Sequence, residues 1–329
     1  MRRLRIGLVG AARIAPHGIV DPVRAEPRSA LVAVAARDPD RAAAFAAEHG
    51  IERSYGDYRA MFADPQIDLV YIATPPANHA ELATLALDAG KHVLVEKPFS
   101  LTSAEARAVL AVARRNDRRV VEAMHAIHHP LFYRVAGLVS AGTVGAIREV
   151  ASRFDVTISN PDDFRWQGRL GGGALMDLGV YPLALVRRLR GEDFAVDRAK
   201  AVMRGDTDEA FEARLLYANG VVARVSASLV ASFAADLRIE GDRGTIAVFN
   251  PIAPHRGHRL IVEADGSERH EEEVPGPTTW TAQLSALCDT LLDGKPFPLP
   301  EDDFVHSMIA IERIRTAGGW PPVSGSIAE

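Results

Sequence analysis

Short unbroken apolar runs alternate with helix-patterned stretches through the first third of the chain. Leu4–Val9, Ala30–Ala36, Asp68–Ala73, His92–Val95 and Arg119–Ala123 are runs of the length and β-branched character expected of strands covered on both faces. Between them lie amphipathic or alanine-rich segments with their own punctuation. Asp38-Pro39 reads as an N-cap with proline in the first helical position, opening a helix that closes near Gly50. A short helix over Asp57–Phe62 follows. Asn78 is placed to cap a helix from His79 to Asp88 with Gly90 at its end, and Thr102 with Glu105 forms a capping box for a helix to about Asn116. Pro16 and Gly18 predict an irregular start to the first helix. Strand and helix in strict alternation predict a doubly wound parallel sheet.

The pattern changes after residue 123. Pro130–Ala141 reads as an amphipathic helix and Ile147–Ile158 as a long half-buried strand. Gly171-Gly172-Gly173 then leads into a helix from about Ala174 to Arg190. From Ala199 to Val274 the signals are strands with tight turns at Asn219-Gly220, Asp242-Arg243-Gly244 and Asp265-Gly266, and helices return at Thr281–Leu292 and Phe304–Thr316. The fold class expected is therefore α/β. An N-terminal Rossmann-type unit over 1–123 precedes an α+β unit over 124–329 with an open, predominantly antiparallel sheet. The C-terminal helix is able to pack back on the first unit.

Composition narrows the function classes. Hydrophobic residues at 47% and charged residues at 25% are those of a globular protein, and the net charge of −5 comes without basic clusters, which argues against nucleic-acid binding. The single cysteine, Cys288, excludes an intramolecular disulfide and a cysteine-based metal cluster. No apolar run approaches the roughly 20 residues of a membrane span. The start, MRRLRIGLVGAA, imitates a signal peptide, but its glycines and Arg13 make it a better first strand, so a cytoplasmic location is expected.

Several stretches carry candidate chemistry. After the first strand, Gly10, Ala12 and Ala15 occupy the small-residue positions of a dinucleotide fingerprint: a tight turn, a close approach to pyrophosphate, and helix packing. The second strand ends at Ala36 rather than at an acid. Arg37 and, a turn later, Arg41 suit a 2′-phosphate, while Asp38 is accounted for as an N-cap, so NADP is expected as cofactor with NAD possible. In Glu96-Lys97-Pro98 the proline restrains Lys97 at the mouth of a strand. Asp177 and Tyr181 stand four apart after the glycine run. A tyrosine hydroxyl suits proton exchange with a carbinol or carbonyl oxygen, and a neighbouring lysine cation would lower its ordinary pKa of about 10. Lys97 is the candidate for that role. Among His125, His128 and His129, the reading is a sugar-hydroxyl contact at His128 or His129, with structural roles the alternative and a metal cluster disfavoured. Phe164-Arg165-Trp166 suits the rim of a substrate pocket.

Taken together, Gly10 through Ala15, Thr74-Pro75 followed by His79, the run Ala89–Pro98 and Gly171 through Asp177 to Tyr181 resemble the Gfo/Idh/MocA oxidoreductases in order and over nearly the whole chain. Tyrosine at position 181 is similar to the family's sugar 3-ketoreductase, NADP-dependent xylose dehydrogenase and dimeric dihydrodiol dehydrogenase branch. The resemblance implies Lys97 and Tyr181 as the catalytic pair, with Asp177 a third catalytic residue. It implies cofactor contacts at Gly10, Ala12, Arg13, Ile14, Thr74, Pro75, His79, Glu96, Lys97 and Pro98, and a cis Lys97-Pro98 peptide; the substrate contacts expected from the residues themselves are His128, Arg165 and Trp166. It also implies an antiparallel sheet used to form a homodimer or higher oligomer. The substrate class it implies is a sugar or cyclic polyol. A non-catalytic NAD(P)-binding sensor of the same fold is the alternative function, and a glycosidase reading is disfavoured by Tyr181. Ala12 departs from the usual middle glycine, and the segment Glu122–Pro130 is richer in histidine than is common.

Overall fold

A computed structural model describes residues 2–321 and residue 323. The chain divides into two compact units, one holding the residues up to Ala123 together with Trp280–Val305, the other Met124–Thr279 and the chain from His306 on.

In the first unit β1 (Leu4–Val9), β2 (Ser29–Ala35), β3 (Arg53–Tyr55), β4 (Leu69–Ile72), β5 (His92–Val95) and β6 (Val120–Glu122) pair in parallel in the order β3-β2-β1-β4-β5-β6. The order reverses between β1 and β4, the place where such sheets open a ligand crevice. Ile6, Leu8 and Val9 have no exposed surface, each side chain gaining about 1.5–3 kcal/mol by burial. The connections include α1 (Asp21–Ala25), α2 (Pro39–His49), α3 (Tyr58–Phe62), α4 (His79–Asp88) and α5 (Ser103–Arg115). Asp38 caps α2 by accepting the N–H groups of Asp40 and Arg41 at 3.0 and 3.3 Å, and Thr102 with Glu105 makes the expected capping box.

Three local features differ from or sharpen the sequence reading. Asn78 does not cap α4: Pro75-Pro76 winds the chain into a 3-10 turn over Pro76–Asn78 that runs straight into the helix, leaving Asn78 already in helical backbone space. β3 has no apolar run to announce it. Before α1, Pro16–Val20 is a π-helical turn, and Gly18 is required there because a Cβ would collide with the Tyr71 hydroxyl below it.

The second unit opens with α6 (Pro130–Ser140). Its eight-stranded sheet is built from β7 (Ile147–Asp155), β8 (Phe194–Arg204), β9 (Thr207–Tyr217), β10 (Val222–Ser228), β11 (Ala234–Gly241), β12 (Gly244–Phe249), β13 (Arg259–Ala264) and β14 (His270–Glu272). The order is β14-β13-β12-β11-β7-β10-β9-β8, antiparallel except for the β7–β10 pair. α7 (Val180–Arg190) covers the inner face. The alternation in β10 decides what faces where: Ala223, Val225 and Ala227 are buried, whereas Arg224 points outward to Glu149 at 2.9 Å.

The expected helix from Ala174 is in two parts, a π turn over Leu175–Gly179 followed by α7. Pro182 explains the break, since it cannot donate to the carbonyl one turn back and its ring crowds that position, which a widened turn relieves. α8 (Thr279–Asp293) returns the chain to the first unit from Trp280. There Leu284, Leu287 and Cys288 join Leu4, Ile6 and Leu8 in one core, and Arg28 reaches Asp289 and Asp293 at 2.6 and 3.0 Å. α9 (Asp303–Gly318) closes the described helices.

Candidate active site

The ends of β1, β2 and β4 in the first unit border a groove of about 420 Å³. Gly10, Ala12, Arg37, Arg41, Thr74 and Pro75 all line it. Gly10 has φ +95°, and a Cβ on it would press to 3.1 Å from the Ala73 carbonyl, so the turn demands glycine. Arg41 donates from Nη2 to the Ala11 carbonyl at 2.6 Å, bracing that turn from α2. Arg37 is exposed and forms no ion pair among the described residues, because the carboxylate beside it, Asp38, is turned to the helix amides. Tyr58 and Arg59 add an aromatic ring and a further cation to the lining, and nothing in the sequence spacing announced them. Burial raises the Tyr58 pKa, with Arg37 and Arg41 opposing.

These features fit a dinucleotide carrying an extra phosphate. The turn is shaped for pyrophosphate, cations stand at the second strand's tip, and Thr74 Oγ1 is buried without a hydrogen-bond partner at the wall of the groove. Arg13, Ile14, His79, Glu96, Lys97 and Pro98 lie outside that lining.

Beside β5, the structure shows the cis Lys97-Pro98 peptide. Lys97 is half-buried, and its backbone N–H donates to Glu96 Oε2 at 3.2 Å. Tyr71 donates its hydroxyl to the other Glu96 oxygen, so this acid serves the strand ends from beneath. His79 is fully buried between the carbonyl oxygens of Thr74 and Pro98, at 2.7 and 2.9 Å, and ties the two strand ends together. Burial pushes its pKa down to about 4 against the pull of those carbonyls.

In the second unit the glycine run builds the approach to Tyr181. Gly173 has φ +109°, and any Cβ there would strike the carboxylate of Asp208 on β9. That carboxylate is 1% exposed and accepts the Leu175 N–H at 2.7 Å, anchoring the π turn. Burial raises the Asp208 pKa to about 6, since Oδ1 finds no hydrogen-bond donor and Arg315 comes no nearer than 4.0 Å.

Asp177 and Tyr181 take different partners. Asp177 accepts Arg165 Nε at 2.6 Å, and Arg165 also donates to Asp163 at 3.1 Å. Burial opposes the charge of Arg165, but Asp177 and Asp163 outweigh it and raise its pKa. Arg165 is thus engaged with two carboxylates, and Trp166 donates to the Asn160 carbonyl at 3.0 Å beneath the Arg204 guanidinium. The Tyr181 hydroxyl lies 2.9 Å from His125 Nε2, and the ring packs edge-on against Phe154, 5.5 Å between centroids.

Of the three histidines, His128 is buried and held near pKa 4 by that burial, and hence neutral. His129 caps α6 through Nδ1, which accepts the Leu131 N–H at 3.1 Å. The histidine that reaches the tyrosine is His125. The sequence flagged it only as part of a run, because the contact spans 56 positions. No described helix is long and apolar enough to cross a membrane.

Comparison with known proteins agrees with this architecture. Residues 4–124 match the oxidoreductase family model with an NAD-binding Rossmann fold, Gfo/Idh/MocA, and residues 132–247 match the Gfo/Idh/MocA C-terminal domain. A dTDP-3,4-didehydro-2,6-dideoxy-alpha-D-glucose 3-reductase of Streptomyces violaceoruber is 33% identical over 88% of this chain and 86% of its own. D-xylose 1-dehydrogenase (NADP(+)) 2 of Haloferax volcanii is 31% identical over 94% of this chain and 96% of its own. The crystal structure of a 3-ketoreductase from Actinomadura kijaniata, in complex with NADP and TDP-benzene, superposes with a TM-score of 0.90. It is 27% identical, over 96% of this chain and 98% of that one.

Proposed function

The chain belongs to the Gfo/Idh/MocA oxidoreductases, a family of NAD(P)-dependent enzymes, and we propose that it moves a hydride between NADP(H) and a carbinol or carbonyl carbon of a sugar or cyclic polyol. The observation that carries the reading is Tyr181: 6% exposed, yet with its hydroxyl in a hydrogen bond rather than lost in packing. The relatives named for sugar reduction and xylose oxidation support the substrate class.

Gly10, Ala12, Thr74 and Pro75 would receive the dinucleotide, with Arg37 and Arg41 at its 2′-phosphate. When bound, the nicotinamide supplies two-electron chemistry at the substrate carbon. Tyr181 gives its proton to the carbonyl oxygen in reduction and takes the hydroxyl proton in oxidation. Lys97 favours the ionised phenol by its charge. Asp177, held by Arg165, keeps the loop before the glycine run fixed to the helix that carries Tyr181. His128, Arg165 and Trp166 are assigned to the walls of the substrate pocket.

The test is a screen of keto-sugars, aldoses and trans-dihydrodiols by absorbance of the reduced cofactor. With the best substrate, Lys97→Met and Tyr181→Phe should each lower kcat by about 100-fold or more while cofactor binding by fluorescence survives. The double variant should fall little below the worse single one, as expected of residues acting as a unit. NADPH binding without turnover of any substrate would instead favour a sensor.

A further inference from the structure

Two hydrogen bonds meet on one imidazole inside the second unit. His125 Nε2 lies 2.9 Å from the Tyr181 hydroxyl, and Nδ1 lies 2.9 Å from Thr279 Oγ1 at the start of α8. The group is sealed: His125 is 3% exposed and Thr279 has no exposed surface. The His125 and Tyr181 rings stand edge to face at 5.4 Å between centroids, so the imidazole is held from both ends and along its edge. A neutral imidazole donates from one nitrogen and accepts at the other, so both hydrogen bonds must reverse direction together. Among the described residues, titratable groups on the surrounding elements include Tyr181 itself, Asp177 with its partner Arg165, His128 on the same 3-10 turn, and His255, whose Nδ1 accepts from the Thr279 backbone nitrogen at 3.5 Å.

We propose that His125 is a positioning residue for Tyr181: held by Thr279, its imidazole orients the phenol and donates a hydrogen bond to the tyrosinate oxygen that proton transfer leaves behind. The proposal rests on the reading of Tyr181 as the acid/base. In the tautomer with hydrogen on Nε2, the imidazole donates to the Tyr181 oxygen and accepts the Thr279 hydroxyl at Nδ1, which leaves the phenol proton for the substrate. In the reductive direction the phenol O–H bond breaks and its proton forms the O–H bond of the product, while Nε2–H stays on the imidazole and stabilises the tyrosinate. A proton from solvent restores the phenol once product leaves, so the net change is one proton drawn from solvent. Oxidation runs the same transfer backwards. Burying three polar side chains around one hydroxyl is costly unless each is satisfied, and these three satisfy one another in a line.

The experiment compares His125→Phe, His125→Gln and Thr279→Val with Tyr181→Phe as reference, reading kcat, KM, the pH profile of kcat/KM and thermal melting. It also follows the Tyr181 ring carbon by NMR in 13C-tyrosine-labelled protein, assigned by its loss in Tyr181→Phe. His125→Phe should lower kcat about 10–100-fold, with KM for substrate and cofactor within about twofold of wild type. It should also move the limb of the pH profile and the NMR titration of Tyr181 upward, as expected when an ionised oxygen loses a hydrogen-bond donor. Thr279→Val should slow turnover severalfold. If His125→Phe does not fold, His125→Gln carries the test: its amide offers an N–H from a longer, unbraced arm, so turnover should stay severalfold below wild type with the Tyr181 titration moved upward. Wild-type rates in His125→Gln and Thr279→Val, or a loss in His125→Phe without any shift in pH profile or NMR titration, overturn the proposal. An active Tyr181→Phe would overturn the acid/base reading itself, whereas an inactive Tyr181→Phe beside fully active His125 variants would overturn this inference alone.

Discussion

Asp208 offers a sharp test of the scaffold beneath Tyr181. Its carboxylate is buried, makes one hydrogen bond to the Leu175 N–H and leaves Oδ1 unserved, and its pKa rises from 3.8 to about 6. A carboxylate whose folded pKa lies above its unfolded value is neutral at no cost below about pH 3.8 and becomes a burden as pH rises through 6. The shift of about two units corresponds to ~3 kcal/mol of stability lost between acidic and neutral pH. Asp208→Asn keeps an oxygen for Leu175 and removes the ionisation. At neutral pH the net stabilisation should be smaller, about 1–2 kcal/mol, because the asparagine amide also brings an N–H group toward Arg315. The cleaner quantity is the slope. Urea unfolding of both proteins from about pH 3.5 to about pH 7.5 should show their stability difference moving toward the variant by ~3 kcal/mol, with the change centred between pH 4 and 6. Parallel curves over that range would mean that Asp208 does not carry a perturbed proton, and the account of the π turn's anchor would fail with it.

Arg37→Ala should raise KM for NADP about tenfold or more while changing KM for NAD less than about twofold; a wild-type kcat/KM equal or better with NAD would refute the assignment of Arg37. Glu26, on which Arg28 and Ser285 converge, has its pKa lowered to about 2, first by the hydrogen bond from Arg28. Its contribution is present above pH 4.5 and lost as pH falls toward 2, so Glu26→Gln should cost about 1–2 kcal/mol at neutral pH and nothing near pH 2, read by thermal melting. The outer face of the second-unit sheet carries exposed Leu216 and Phe249 among charge pairs such as Arg224–Glu149, and we propose that it serves self-association. Sedimentation at about micromolar concentration should give a dimer or larger, and Leu216→Arg should weaken it; a strictly monomeric wild type would refute this.

Legibility in the sequence followed the range of the forces involved. The strands β1, β4 and β5, the cap at Asp38 and the box at Thr102–Glu105 are local events, settled within a few residues by burial period and backbone amide satisfaction, and they stand where the sequence put them. Asn78 failed as a cap because two prolines outweighed its propensity. β3 owes its pairing to β2 and has no pattern of its own. The same holds at the candidate site. The groove residues lie at strand ends and could be found from strand ends, but Asp208 and His125 act across 33 and 56 positions on Leu175 and Tyr181, and nothing in their own neighbourhood signals it.

The return of α8 to the first core has a consequence for how the protein is made. Leu284, Leu287 and Cys288 sit in the same cluster as Leu4, Ile6 and Leu8, although the whole of Met124–Thr279 is synthesised in between. At about 5–20 residues per second, a ribosome that has delivered β6 needs roughly 10–30 s more before α8 exists. Throughout that interval the nascent sheet presents an uncovered apolar face, and it is then that a chaperone would find it.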